Sequence, residues 1–568
     1  METRNLILAI VLSAAILFGW QYLVPPPKHI VPPPEAVSAG TSSAAPGETA
    51  PGTPATALVS RDAALQQSPR IAITTPLLSG TIALKGARLD DLTLTHYHET
   101  VDPASPAIVL LSPSGAANAY FAEQNWLSTQ PGVALPSSDT VWTADRESLT
   151  VGAPVTLIWD NGAGLVFTRV ISVDQNYMFT VTETVQNNGT GPVTLRPYAL
   201  AARGGPPPVS QSWLSYEGPI GAFNGVEEDV KYSAITTDAP VKRQSAGGWL
   251  GFSDKYWLGA IAPVDQTSPI DARFIHSGTG ESERYQVDYT GAETVVPAGG
   301  SASTSSLVFA GAKEVTLLAG YRDALGLARF DNAVDFGWFW FFTKPIFYVL
   351  DKLYAATGNF GVAILILTVI MRILFFPLQT RAVLSMNKMK ALQPEVARLR
   401  ELHGDDKVRL NQETMELYKR VGANPLGGCL PIVLQIPVFF SLYKVLYVTI
   451  EMRHAPFWGW IHDLSAADPT NIWTLFGLIP WTPPHFLPVL GVWPIIYCGT
   501  MYLQQRSNPP PPDPVQAKMM QFMPLMFMFM LGNFASGLVI YWAWSNVLVL
   551  IQQYVITHHV AVAKPAKA

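Results

Sequence analysis

Residues 360–378 read FGVAILILTVIMRILFFPL, an apolar run with one ionisable group, Arg372. A bilayer-crossing helix needs about 20 such residues at a rise of 1.5 Å each, so the stretch reads as a membrane span. An arginine inside a span costs at least ~2.5–3.5 kcal/mol on insertion scales and normally faces a wet cavity or a partner. A plainer reading also stands. Leu378 is six residues on, about 9 Å of helix rise, so the guanidinium is nearly within reach of the interface by snorkelling. Thr368, four residues earlier and therefore on the same helical face, favours the wet cavity.

Working outward, further apolar runs occupy residues 424–447, 486–503, 519–531 and 537–556, and the first lies at 6–24 (LILAIVLSAAILFGWQYLV), giving six spans. The segment 470–485 is apolar but broken by Pro480, Pro483 and Pro484. The bulky end of the first run (Phe18, Trp20, Tyr22) favours an uncleaved anchor over a signal peptide, which ends in small residues at its cleavage site. Composition agrees: of 568 residues 49% are hydrophobic and 14% charged, against roughly 25% charged in soluble domains. A net charge of −5 excludes a generally basic DNA binder, and two cysteines, Cys429 and Cys498, cannot make a disulfide framework.

Between the first span and the rest the pattern changes. Residues 25–69 are a Pro/Ala-rich linker, and from 70 to 325 short β-type runs alternate with Gly, Pro, Asn and Asp. In residues 178–186 (MFTVTETVQ), Phe179, Val181 and Val185 alternate with Thr180, Thr182, Thr184 and Gln186, giving one apolar and one wet face. Runs at 80–84, 89–95, 155–159, 166–173 and 193–200 extend a mostly antiparallel domain, expected to be a sandwich. Residues 337–350 (GWFWFFTKPIFYVL) crowd aromatics around Lys344 and Pro345, which suits an interfacial amphipathic helix within 326–350.

Positive residues are retained on the cytoplasmic side. The loop 379–424 holds nine (Arg381, Lys388, Lys390, Arg398, Arg400, Lys407, Arg409, Lys419, Arg420), and 451–469 holds only Arg453. The first loop is therefore cytoplasmic, the N-terminus and the 559–568 tail inside, and the β domain outside. Within 379–424 apolar spacing predicts a helical hairpin turning at Gly404-Asp405-Asp406, with Pro394 as a local objection. Its basic residues are either a solvated face that fixes topology or a docking face for an RNA-rich or anionic partner.

Polar side chains recur inside the spans: Gln435 in 424–447, and Tyr541, Ser545 and Gln552 in one stripe beside Trp542 and Asn546 in 537–556. Interhelical hydrogen bonding explains the uncharged ones and explains Arg372 poorly. No P-loop, GxSxG, HExxH or CxxC is present, so no cofactor, metal or catalytic role is expected. His96 and His98 lack a third ligand.

The run 424–439, NPLGGCLPIVLQIPVF, resembles the YidC/Oxa/Alb membrane-protein insertases. Thr368, Arg372, Pro377-Leu378, His462-Asp463-Leu464-Ser465, Asp513-Pro514, Met523-Pro524 and Ser536-Gly537-Leu538-Val539 belong to the same pattern. The whole chain is similar to the Gram-negative type, less diagnostically at Trp249-Leu250-Gly251-Phe252 and Lys255-Tyr256-Trp257. The resemblance implies an inner-membrane insertase and chaperone with a five-helix core (358–558) around a hydrophilic groove, and a periplasmic β-supersandwich similar to sugar-mutarotase folds. It makes Arg372 the groove's positive charge, with Thr368, Gln435 and Trp542 lining it; Tyr541 and Ser545 share the Trp542 helix. Many relatives carry Tyr where Trp542 stands. Implied partners are nascent membrane proteins, the Sec translocon with its accessory proteins, membrane lipids, and the ribosome or signal-recognition pathway on Lys388, Lys390, Arg398, Arg400, Lys407 and Arg409. Two other classes remain open at this point: a polytopic solute transporter or channel, and a periplasmic carbohydrate-active enzyme on a membrane anchor.

Overall fold

Strand Leu165–Val173 alternates buried and half-buried residues without a break, the period-two pattern of a half-covered strand. It pairs antiparallel with Met178–Asn187, which pairs with Ser301–Ala312. The computed structural model describes residues 58–206, 215–236, 239–403, 406–422, 430–481, 483–484, 487–507 and 514–560. The chain divides into 1–45 and 46–568, and every described residue lies in the second unit. The expected first span, most of the linker, the NPLGGC run and the end of the tail lie outside the described residues.

Two antiparallel sheets fill residues 70–312. The eleven-stranded sheet runs from Val241–Ala246 through Pro269–Ser277, Arg284–Thr290, Val193–Gly204, Tyr120–Leu127, Arg88–His98 and Leu78–Ala83 to Arg70–Thr74, whose short neighbour Ser148–Leu149 is its one parallel partner. The nine-stranded sheet centres on Trp249–Ser253, Trp257–Pro263, Ser301–Ala312, Met178–Asn187 and Leu165–Val173. Their side chains form one buried cluster that includes Trp126, Phe167, Phe179, Trp249 and Phe309. Neither sheet closes on itself.

The apolar face of residues 178–186 also holds a carboxylate. Glu183 follows the parity of Phe179, Val181 and Val185 and is 5% exposed. It accepts from Arg169 Nε at 3.0 Å and Nη2 at 2.6 Å. Arg169, fully enclosed, also donates across to the other sheet, to the carbonyls of Ala87 at 2.8 Å and Gln124, and lies over the Trp142 ring. Tyr120 Oη repeats the link in reverse, toward the Phe252 and Gly259 carbonyls.

The helices are α1 (Arg61–Leu65), α2 (Val315–Leu325), α3 (Trp340–Thr357), α4 (Phe360–Leu374), α5 (Phe376–Ala391), α6 (Gln393–His403), α7 (Lys407–Val421), α8 (Leu430–Val448), α9 (Val492–Ser507), α10 (Pro514–Leu531) and α11 (Ser536–Val555). Asn359 caps α4 by accepting from Val362 N–H, and Asp406 caps α7. Pro394 falls in the first turn of α6, where its missing N–H is harmless, and the helix breaks just before it.

The sequence predicts six spans. Among the described residues, one helix, Ser536–His558, is long and apolar enough to cross a bilayer alone, and α4 with α5 meets the test only jointly, across a 65° bend. Gln435–Val448 and Ala517–Leu531, the parts of α8 and α10 whose side chains are described, are apolar as well. The α4–α5 bend falls at Pro377 and α9 carries Gln504-Gln505-Arg506 in its last turns, whereas α8 and α10 continue through Pro437 and Pro524. Residues 472–477, in the proline-broken apolar segment, form a short 3₁₀ turn.

Candidate functional site

Arg372 stands in the last turn of α4, half-buried, and its Nη2 donates to Ser545 Oγ of α11. Among the described residues no carboxylate pairs with it. One turn earlier on α11, the buried Tyr541 hydroxyl accepts from Gln435 Nε2 of α8. Three helices thus meet through two side-chain hydrogen bonds, joining Arg372, Ser545, Tyr541 and Gln435. The four-residue spacing of Tyr541 and Ser545 puts both on one face of α11.

Thr368 does not join them. Its hydroxyl donates to the Ile364 carbonyl of its own helix at 2.6 Å, and the side chain is 1% exposed. Trp542 belongs to an aromatic group instead, stacked on Phe439 at 4.8 Å with Tyr497 at 5.9 Å and Phe534 at 6.2 Å. Phe439, Tyr443 and Tyr447 continue as a ladder along α8, stacked at 6.1 and 6.0 Å. That ladder was not among the expected features, although its i, i+4 spacing was there to find. Lys388, Lys390, Arg398, Arg400 and Arg409 are exposed on α5, α6 and α7. Lys388 Nζ reaches the Gly422 carbonyl at 3.5 Å, and the Lys407 side chain lies outside the described residues.

A second polar group, also unexpected, ties the β region to the helices. Val315 N–H donates to Glu451 Oε1 at 2.9 Å, Arg453 Nη2 to the His98 carbonyl at 2.6 Å, and Lys444 Nζ to Asp335 at 2.8 Å. Lys255 lies 3.7 Å from the Tyr447 ring centre. Burial, with Glu314 and Asp351 adding repulsion, pushes the Glu451 carboxyl up to about 7. Burial lowers the fully enclosed Lys313 ammonium to about 8, against the pull of Asp254 and Asp335.

Comparison with known proteins identifies the family of the chain. Residues 70–349 match the family described as YidC periplasmic domain, and residues 352–564 match the 60Kd inner membrane protein family. A protein of Methylobacterium radiotolerans described as membrane protein insertase YidC is 47% identical, over 98% of this chain and 94% of its own length. One of Granulibacter bethesdensis with the same description is 47% identical over the full length of both. The chain belongs to the YidC family of membrane protein insertases. Its activity is insertion of proteins into the bacterial inner membrane, and the β region is the YidC periplasmic domain. A solute transporter and a carbohydrate-active enzyme give way to this reading. The crystal structure of an active YidC insertase with its first transmembrane domain resolved is 18% identical, covering 87% of this chain and 93% of its own, at a TM-score of 0.37.

Proposed function

We propose that Arg372, Gln435, Tyr541, Ser545 and Trp542 line a hydrophilic groove, open to cytoplasm and lipid, through which nascent membrane proteins enter the bilayer. Thr368 packs one turn behind Arg372 as part of its wall. The observation that supports this is Arg372 itself, a guanidinium on an apolar helix with a serine hydroxyl as its acceptor and no carboxylate among the described residues to neutralise it. Such a charge in the inner leaflet shortens the apolar distance a polar tail must cross and attracts acidic residues of an incoming segment. Apolar segments then leave along the Phe439–Trp542 wall into lipid, and hydrophobic transfer completes the step without a nucleotide.

The surrounding plan is six spans, at 6–24, 360–378, 424–447, 486–503, 519–531 and 537–556, with the N-terminus and the 379–424 hairpin cytoplasmic. The asymmetry of Lys and Arg between loops 379–424 and 451–469 supports it. The two sheets act as a supersandwich, and α3, which begins at Trp340 inside the expected 326–350 segment and runs on to Thr357, is the interfacial helix. Work beside the Sec translocon, and ribosome or signal-recognition docking on Lys388, Lys390, Arg398, Arg400, Lys407 and Arg409, complete the partners.

Growth of a depletion strain tests the groove. Arg372→Ala is expected to lower insertion of clients with acidic tails by tenfold or more, and Arg372→Lys to retain most of it. Full rescue by Arg372→Ala sinks the role given to the charge. Photocrosslinkers at Trp542 and Gln435 should capture a stalled nascent membrane protein.

A further inference from the structure

Residues 472–481, IWTLFGLIPW, leave the membrane helices on the periplasmic domain's side, between the turn after α8 that holds Glu451 and Arg453 and the start of α9. Leu478 is 84% exposed, and Ile472, Trp473, Leu475, Phe476, Ile479 and Trp481 are exposed with it. Leu475 and Phe476 hold left-handed backbone, φ 46° and 58°, which side chains other than glycine seldom adopt. The backbone thus holds apolar side chains outward at a conformational cost.

The polar groups of the loop turn inward. Ile472 N–H donates to the Leu490 carbonyl, Thr474 and Phe476 N–H to the Asn471 carbonyl, Leu478 N–H to Leu475, Ile479 N–H to Thr474 and Trp481 N–H to Ile479. Trp473 N–H uses the Asn471 side chain and Gly477 N–H the Thr474 hydroxyl. Pro480 has no N–H. The indole N–H groups close on the Pro488 carbonyl at 2.9 Å and the Trp473 carbonyl at 2.7 Å. Non-helical backbone tolerates hydrocarbon only when its donors are satisfied, and Leu475 N–H is the one backbone donor of 472–481 not in these bonds.

We propose that residues 472–481 lodge in the outer leaflet of the bilayer. A protein partner would call for a polar or charged rim, whereas no Asp, Glu, Lys or Arg occurs between Asp468 and Arg506. Water is a poor host for so continuous an apolar patch. The inference rests on α8 and α9 being membrane-spanning.

The full chain carrying Cys429→Ser and Cys498→Ser, with one added cysteine at a time (Leu478→Cys, Ile496→Cys on α9, or Asp102→Cys in the periplasmic domain), is labelled with a nitrobenzoxadiazole fluorophore. It is then reconstituted in phosphatidylethanolamine and phosphatidylglycerol vesicles. Nitroxide-bearing lipid should quench positions 478 and 496, and aqueous iodide should quench 478 several-fold less than 102. Quenching by lipid at 496 but not 478 overturns the loop assignment and leaves the spanning helices intact. Quenching at neither overturns both. Protection of 478 that appears only when a translocon or nascent chain is added overturns it in favour of a protein partner.

Discussion

Arg169 is fully enclosed between the two sheets, where its guanidinium satisfies Glu183 and two carbonyls of the opposite sheet. Arg169→Met leaves that carboxylate buried and unpaired, which costs about 3–5 kcal/mol, whereas replacing both partners by apolar residues is often near neutral. Thermal unfolding of the detergent-solubilised chain should therefore show a large drop for Arg169→Met and recovery in Arg169→Met/Glu183→Leu; equal drops in both would refute the pairing. Parity along residues 178–186 already places Glu183 on the apolar face, but nothing in the order of residues names Arg169 as its partner. Arg372 divides in the same way, conspicuous in an apolar run, with its acceptor Ser545 legible only in three dimensions. Glu451 carries a pH signature. Its carboxyl titrates near 7 when folded against an ordinary 4.5, so the folded chain holds the extra proton between those values and loses stability as pH rises through them. Glu451→Gln keeps an acceptor for Val315 N–H and should be more stable than the parent by about 3 kcal/mol at pH 8 and equal to it at pH 4. Identical pH slopes in the two proteins would contradict the assignment.

Strands and helices differ in how openly the sequence declared them. Leu165–Val173 and Met178–Asn187 stood out because strict period-two alternation fits a half-covered strand and does not fit the 3.6-residue turn of a helix. The membrane helices blurred because apolar runs have no periodic edge, so the 65° bend between α4 and α5 falls inside a stretch that hydropathy joins. Close approach was invisible as well. A Cβ on Gly361, at the start of α4, would meet the Phe457 ring, while one on Gly499 in α9 would meet nothing within 4 Å. Gly361→Val should destabilise by roughly 1–3 kcal/mol through overpacking. Gly499→Ala should be neutral or stabilise by up to about 1 kcal/mol. Paired melting curves separate the two, and a harmless Gly361→Val would show that the helix and the Phe457 loop are not packed as described.

Across the whole molecule, the periplasmic domain meets the helices through His98 with Arg453 and Lys255 with Tyr447, and the segment after residue 313 adds Val315 with Glu451, Asp335 with Lys444, and Asp331 with Lys344 at 2.8 Å. Removing residues 70–310 should leave insertion of a short-tailed client largely intact, and extending the deletion through 339 should abolish it, as measured by protease protection of the client. Equal activity of the two deletions would show that the junction is dispensable. The bonds at the candidate groove have a consequence for the protein's own synthesis. Arg372 and Gln435 find their acceptors 173 and 106 residues later, both on the final helix. Until the ribosome has released α11, a growing copy lacks the acceptors of that guanidinium and that amide. Every copy therefore passes through a stage in which it is an unfinished membrane protein, in need of the help it will later give, and a chain stopped short of residue 541 is a marked target for membrane proteases.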